Sequence, residues 1–186
     1  MALTLDDITE LFHAHGAVQY GSEAVTQQQH ALQCAHLAEQ AGATPALVAA
    51  ALLHDLGHLL APAGPSTATG TDDLHQFVAL PFLRGTFAQA VLAPIRMHVD
   101  AKRYLCRVDP AYEAGLSPAS RRSLALQGGV YSEEQAQAFI AQAFAADAVA
   151  LRRWDDLAKN PSATTPAWAH YAGVLVGVSA ATASSR

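Results

Sequence analysis

Between residues 47 and 60 the chain is strongly apolar, yet it places Leu52-Leu53-His54-Asp55-Leu56-Gly57-His58 in the middle of that stretch. An ionised aspartate facing a core costs roughly several kcal/mol unless it is paired or coordinates a cation. Asp55, flanked by Leu53 and Leu56, therefore calls for a strong partner, and a metal ion is the economical one. The local pattern is helical. Thr44 is placed to cap the N-terminus and Pro45 stands at the first helical position, where its missing N–H costs nothing. A helix with such a pair at its centre needs further elements packed around it to complete the site.

The rest of the sequence supplies helices. Apolar residues recur mainly at three- and four-residue spacing, alanine is abundant, and few segments alternate strictly, which predicts an all-α fold. One helix is expected over 25–40, closed by Gly42, followed by the apolar helix through Leu60. Residues 61–70 hold two prolines and two glycines with Ser66, Thr67 and Thr69, and are expected to form a flexible loop. Further helices are expected over 72–82 and 87–104, the second kinked or broken near Pro94. One short helix starts after Ser117 in an otherwise irregular stretch from 109 to 129. The last long helix opens on a capping box of Ser132 and Gln135, runs through Phe139, Ile140, Phe144, Val149 and Leu151, and ends before Pro161. No internal repeat or linker divides the chain, so residues 1–186 are expected to form a single compact helical domain.

Composition narrows the partners. Eleven Lys and Arg against 16 Asp and Glu give a net charge of -5, which disfavours nucleic acid and an anionic membrane surface. Cys34 and Cys106 are too few for a disulfide framework. The opening residues carry Asp6, Asp7 and Glu10 and show no secretory pattern, so a cytoplasmic location is expected. No apolar run approaches the ~18 residues of a membrane span. Oligomeric state has no marker in the sequence.

Nine histidines accompany Asp55. His and Asp are ligands that borderline and hard cations accept, and a carboxylate can bridge two ions held roughly 3.5–4 Å apart. Asp55 is the candidate bridge. Other ligands would come from His30 in the preceding helix, His75 after the loop, His98 in the next helix, and an aspartate in Arg152-Arg153-Trp154-Asp155-Asp156. Six ligands suit two metals. His58 shares a helix face with His54 and admits three roles: ligand, anion donor or core residue. His13, His15, His36 and His170 are assigned to structure or surface.

The order His…His-Asp…His…His…Asp resembles the HD-domain superfamily, which is helical and metal-binding. The segments 20–35, 117–129 and 152–159 are similar to the PhnZ-type phosphonate-cleaving oxygenases of that superfamily, and the match runs from about Tyr20 to Lys159. The resemblance implies a mixed-valence diiron centre, Fe(II)/Fe(III), with dioxygen as co-substrate. It makes His30, His54, Asp55, His75, His98 and Asp155 the iron ligands. Asp155 is preferred to Asp156 because its spacing from Arg152 and Lys159 fits the family pattern. It places phosphonate-binding positions at His58, Lys102, Ser120 and Arg152, and the amine end of the substrate at Tyr20 and Glu23. Asp55, His58 and Lys102 are the expected catalytic residues. The charges agree with this allocation: Arg152 and Lys102 suit a phosphonate dianion, and Glu23 with Tyr20 suits an ammonium.

The expected partner is a small organophosphonate. The implied reaction cleaves the C–P bond of a 1-hydroxy-2-aminoethylphosphonate, or of its N-trimethyl analogue, to phosphate and glycine or glycine betaine. Two alternatives stand beside it. One is an HD phosphohydrolase acting on a phosphomonoester or nucleotide, and the other is a noncatalytic module binding a phosphorylated metabolite.

Overall fold

Side-chain caps start several of the helices. In the computed structural model, which describes residues 2–60 and 74–179, Thr4 and Asp7 form a capping box that opens α1 (Leu5–His15). Thr26 and Gln29 do the same for α2 (Gln27–Gln40), and Thr44 caps α3 (Pro45–Leu53) with Pro45 in its first turn. Two short helices lie on either side of the expected 61–70 loop, which falls outside the described residues: α4 (Leu56–Leu60) and α5 (His75–Val78). There follow α6 (Leu80–Leu83), the long α7 (Gln89–Val108), α8 (Pro110–Gly115), α9 (Pro118–Leu126), α10 (Glu133–Ile140), α11 (Ala145–Leu157) and α12 (Trp168–Val178). Among the described residues there is no β-strand, only two isolated bridges, and no helix is long and apolar enough to cross a membrane. The fold is all-α, as expected.

Several boundaries differ from the expectations; the helix expected over 72–82, for one, is divided within the described residues into α5 and α6. The apolar helix is not continuous: it stops at Leu53, and His54 and Asp55 form a turn before α4. There the His54 imidazole donates to the Ala51 carbonyl at 2.8 Å, and the Asp55 carbonyl accepts from His58 N–H at 2.9 Å. Those bonds are the tighter pattern of a turn. By contrast, α7 runs through Pro94. Proline leaves the Ala90 carbonyl without its donor near the helix start, a cost of ~3 kcal/mol. Burial of Val91, Leu92, Ile95, Met97 and Val99 on the same helix outweighs it. The last long helix divides at Phe144, whose φ of 65° no helix interior adopts. Residues 109–126 hold two helices where one was expected, α8 being capped by Asp109. α1 and α12 were not anticipated, although Thr4 with Asp7 is a legible cap signal for the first.

The core forms where α2, α3, α7 and α11 meet. α3 is buried on nearly every side, from Leu47 to Leu53, with α2, α7 and α12 against it. α11 packs on both α7 and α2. Phe12 of α1 meets Trp168 with ring centroids 4.5 Å apart, closing the far side of the bundle. Helices so arranged turn their few polar inward residues toward one another.

Candidate metal centre

Those inward residues are His30 from α2, His54 and Asp55 from the turn between α3 and α4, His75 opening α5, His98 in α7, and Asp155 in α11; all are buried. The two oxygens of Asp55 face different groups. Toward Oδ2 point His54 Nε2 at 3.3 Å and His30 Nε2 at 3.6 Å. Asp155 joins that side, with Oδ1 3.5 Å from His30 Nε2 and Oδ2 3.8 Å from His54 Nε2. Toward Oδ1 point His75 Nε2 at 3.3 Å and His98 Nε2 at 3.6 Å. The spacing between donors fits shared ions, since adjacent ligand atoms ~2.0–2.2 Å from one ion and near right angles lie roughly 3 Å apart.

Hydrogen bonding sets which ring nitrogens are available. The Nδ1 atoms of His30, His54 and His98 donate to the carbonyls of Ala158, Ala51 and Ile95, at 2.9, 2.8 and 2.7 Å. Each Nε2 is thereby turned inward, and a ring protonated at Nδ1 alone presents a lone pair there. His30 and His54 bring these atoms to 3.3 Å of each other, and His75 and His98 to 3.0 Å. Asp55 Oδ2 is buried without a hydrogen-bond partner. Ring nitrogens crowded in this way beside a carboxylate oxygen with no hydrogen-bond partner are unfavourable unless positive charge, a proton or a metal ion, lies among them. The donor set thus fits metal.

The charges point the same way. Burial holds His30 below the ordinary histidine range, and burial reinforced by His54 holds His98 well below it, so both are neutral donors. Burial also opposes charge on His54, but the Asp55 carboxylate beside it lifts its pKa to about 9. Burial would raise Asp55 and Asp155. The His54 charge instead brings Asp55 well down, and the Arg152 guanidinium lowers Asp155. His54 accordingly gives up a proton when an ion binds.

Around the centre lie the other expected residues. Tyr20 stacks on His30, with centroids 3.8 Å apart, and its hydroxyl stands 3.5 Å from Asp155 Oδ1. His58 stacks on His75 and brings Nε2 to 4.0 Å from Asp55 Oδ1, with its side chain 27% exposed. Glu23 accepts from Ser117 Oγ at 2.9 Å and pairs with Lys159 at 3.3 Å. Ser120 lies at the start of α9, with Lys159 Nζ 3.3 Å from its hydroxyl. The Arg152 fork meets carboxylates of its own helix: Nη1 reaches Asp155 Oδ2 at 2.7 Å, and Nε donates to Asp156 Oδ2 at 2.9 Å. Asp156 turns away from the histidines toward Arg152 and Tyr112.

Three contributors escaped the sequence reading as site residues. Tyr112 sits in the unanticipated α8 and donates to Asp156. Ser123 accepts from Lys102 Nζ at 2.8 Å. Cys34, one turn after His30, brings Sγ within 3.7 Å of His30 Nε2, and His30, Cys34 and His54 together form a group with metal-ligand spacing. Its position four residues after His30 was the available signal.

Lys102 is almost wholly buried, and burial, aided by Arg152, pulls its ammonium down to about 7. Between pH 7 and the free-lysine value of 10.5, the unfolded chain binds a proton here that the folded chain does not. Stability must therefore rise with pH across that window, and the full cost of burying the charge is present below it. Relative to Lys102→Met, metal-free wild-type protein is expected to gain stability from pH 7 to pH 10. Urea unfolding of both proteins across that range checks it, and parallel profiles would refute it.

An all-helical bundle with a His-Asp pair at the heart of a polyhistidine site defines the HD class of metal-binding proteins. Residues 28–147 match the HD domain, and the chain belongs to that family. Within it, the chain stands among the phosphonate oxygenases. A hydroxymethylphosphonate dioxygenase of Gimesia maris is 45% identical over 159 residues, spanning 84% of this chain and 79% of its own. The glycine-betaine-forming [1-hydroxy-2-(trimethylamino)ethyl]phosphonate dioxygenase of Leisingera caerulea is 36% identical over 166 residues, or 89% of this chain and 85% of its own. An uncharacterized protein of Acanthamoeba polyphaga mimivirus is 30% identical over 175 residues, spanning 92% and 80% of the two chains.

Proposed function

We propose that this chain is a diiron oxygenase that cleaves the C–P bond of a 1-hydroxy-2-aminoethylphosphonate or its N-trimethyl analogue. The products are phosphate and glycine, or glycine betaine. The name of the Gimesia relative adds hydroxymethylphosphonate to the substrates worth offering. The observation that carries the reading is the division of Asp55, one oxygen facing His30 and His54 and the other facing His75 and His98. A carboxylate so divided suits a bridge between two ions.

His30, His54 and Asp155 would hold one iron, His75 and His98 the other, and Asp55 both. When bound, the irons supply the redox chemistry by which dioxygen oxidises the hydroxyl-bearing carbon. The side chains bind and orient. Lys102, Ser120 and His58 present donors to the phosphonate, while Arg152 braces Asp155 and adds positive charge on the same side. Tyr20 covers the His30 ring, and Glu23 meets the substrate's far end. In the balance, one phosphonate and one dioxygen become one carboxylic acid and one phosphate, without an external reductant.

Oxygen dependence tests this against hydrolysis. Iron-loaded protein is expected to consume one dioxygen per phosphate released, and to release none under anaerobic conditions. Phosphate release that persists without dioxygen, or with manganese or magnesium in place of iron, would establish the hydrolase instead.

A further inference from the structure

Glu23, the one acidic group expected at the amine end of the substrate, is already engaged. Its carboxylate pairs with Lys159 Nζ at 3.3 Å and accepts from Ser117 Oγ at 2.9 Å, and both charged side chains are largely buried. Lys159 has few other places to put its charge. Its other neighbours are the Ser120 hydroxyl at 3.3 Å and Asp156 Oδ1 at 3.9 Å, and Asp156 is occupied by Arg152 and Tyr112. The backbone around Lys159 is pinned as well. The Ala158 carbonyl accepts from His30, and the Gln33 side chain exchanges two hydrogen bonds with the main chain of Asn160, at 3.0 and 3.1 Å.

We propose that Lys159 is a specificity-determining residue that sets the charge of the substituent the site accepts beyond the hydroxyl-bearing carbon. The inference rests on the phosphonate reading above. An ammonium that approaches Glu23 must share the carboxylate with a like charge or displace it. A hydrogen or an uncharged group in the same place meets no such opposition. Lys159 thus lowers selectivity for aminoalkyl over unsubstituted hydroxyphosphonates, and its loss leaves Glu23 free to select a cation.

The test compares hydroxymethylphosphonate with 1-hydroxy-2-aminoethylphosphonate, both titrated calorimetrically into iron-loaded protein without dioxygen, where binding is read apart from turnover. In Lys159→Gln and Lys159→Met, the ratio of the two dissociation constants is expected to shift toward the aminoethyl compound by about tenfold. Lys159→Arg should keep the wild-type ratio, and adding Glu23→Gln to Lys159→Gln should erase the gain. With three replacements, loss of folding in one still leaves a comparison, and thermal unfolding identifies it. An unmoved ratio overturns the proposal, as does equal weakening of both compounds, which would make Lys159 a phosphonate ligand. Wild-type protein that binds neither compound would overturn the oxygenase reading and this inference together, whereas binding of both with an unmoved ratio overturns the role of Lys159 alone.

Discussion

Asp55→Ala is expected to reduce the metal content to one ion per chain or none and to lower phosphonate turnover by at least about 10³-fold, equivalent to ~4 kcal/mol in the barrier. Among the described residues, no other side chain in the site presents one atom to His30 and His54 and another to His75 and His98. Its loss also removes the anion that holds the His54 proton up to about 9, leaving several imidazoles around an uncompensated void. Elemental analysis of the purified variant, alongside phosphate release, checks the expectation. Full metal content with wild-type turnover would rule out the bridging role. His58→Ala makes a contrast: it should stay fully loaded and lose mainly affinity for the phosphonate.

Gly57→Ala should be nearly as damaging, although the residue touches no substrate. A Cβ at Gly57 would run into the carbonyl oxygen of His75, with the carbonyl carbon at 2.9 Å and the Cα at 3.0 Å. These are backbone atoms, so no rotamer change relieves the clash, and the start of α5 must shift. Overpacking of this kind costs about 1–3 kcal/mol. The shift also carries His75 Nε2 away from Asp55 Oδ1. A lower melting temperature and loss of about half the bound metal are expected, measured by calorimetry and elemental analysis. A variant that retains its full metal complement would show that α5 moves without disturbing the site.

The His-Asp pair and the helical class were legible because both follow from one-dimensional rules: a charge in an apolar run needs a partner, and a period near 3.6 needs a helix. Thr44 with Pro45, and Ser132 with Gln135, marked helix starts for the same reason, since capping is local chemistry. What was not legible depends on tertiary contact. The break at His54 and Asp55 leaves the apolar periodicity intact, and the inward-facing site decides it. The survival of α7 through Pro94 depends on burial against neighbours that no local window contains. Glu23 was readable as an acid near the site, but its pairing with Lys159 joins residues from opposite ends of the chain. Arg152 was read as a fork for an anion, and the helix spacing that places Asp155 and Asp156 beneath it gives that fork two carboxylates of its own.

Main-chain carbonyls of Ala51, Ile95 and Ala158 anchor the three imidazoles. Amino-acid replacement does not delete a carbonyl. Mutational drift in the surrounding lining therefore leaves the ring orientations standing, and a lineage built on this scaffold is free to try new substrates without rebuilding the posture of its histidines.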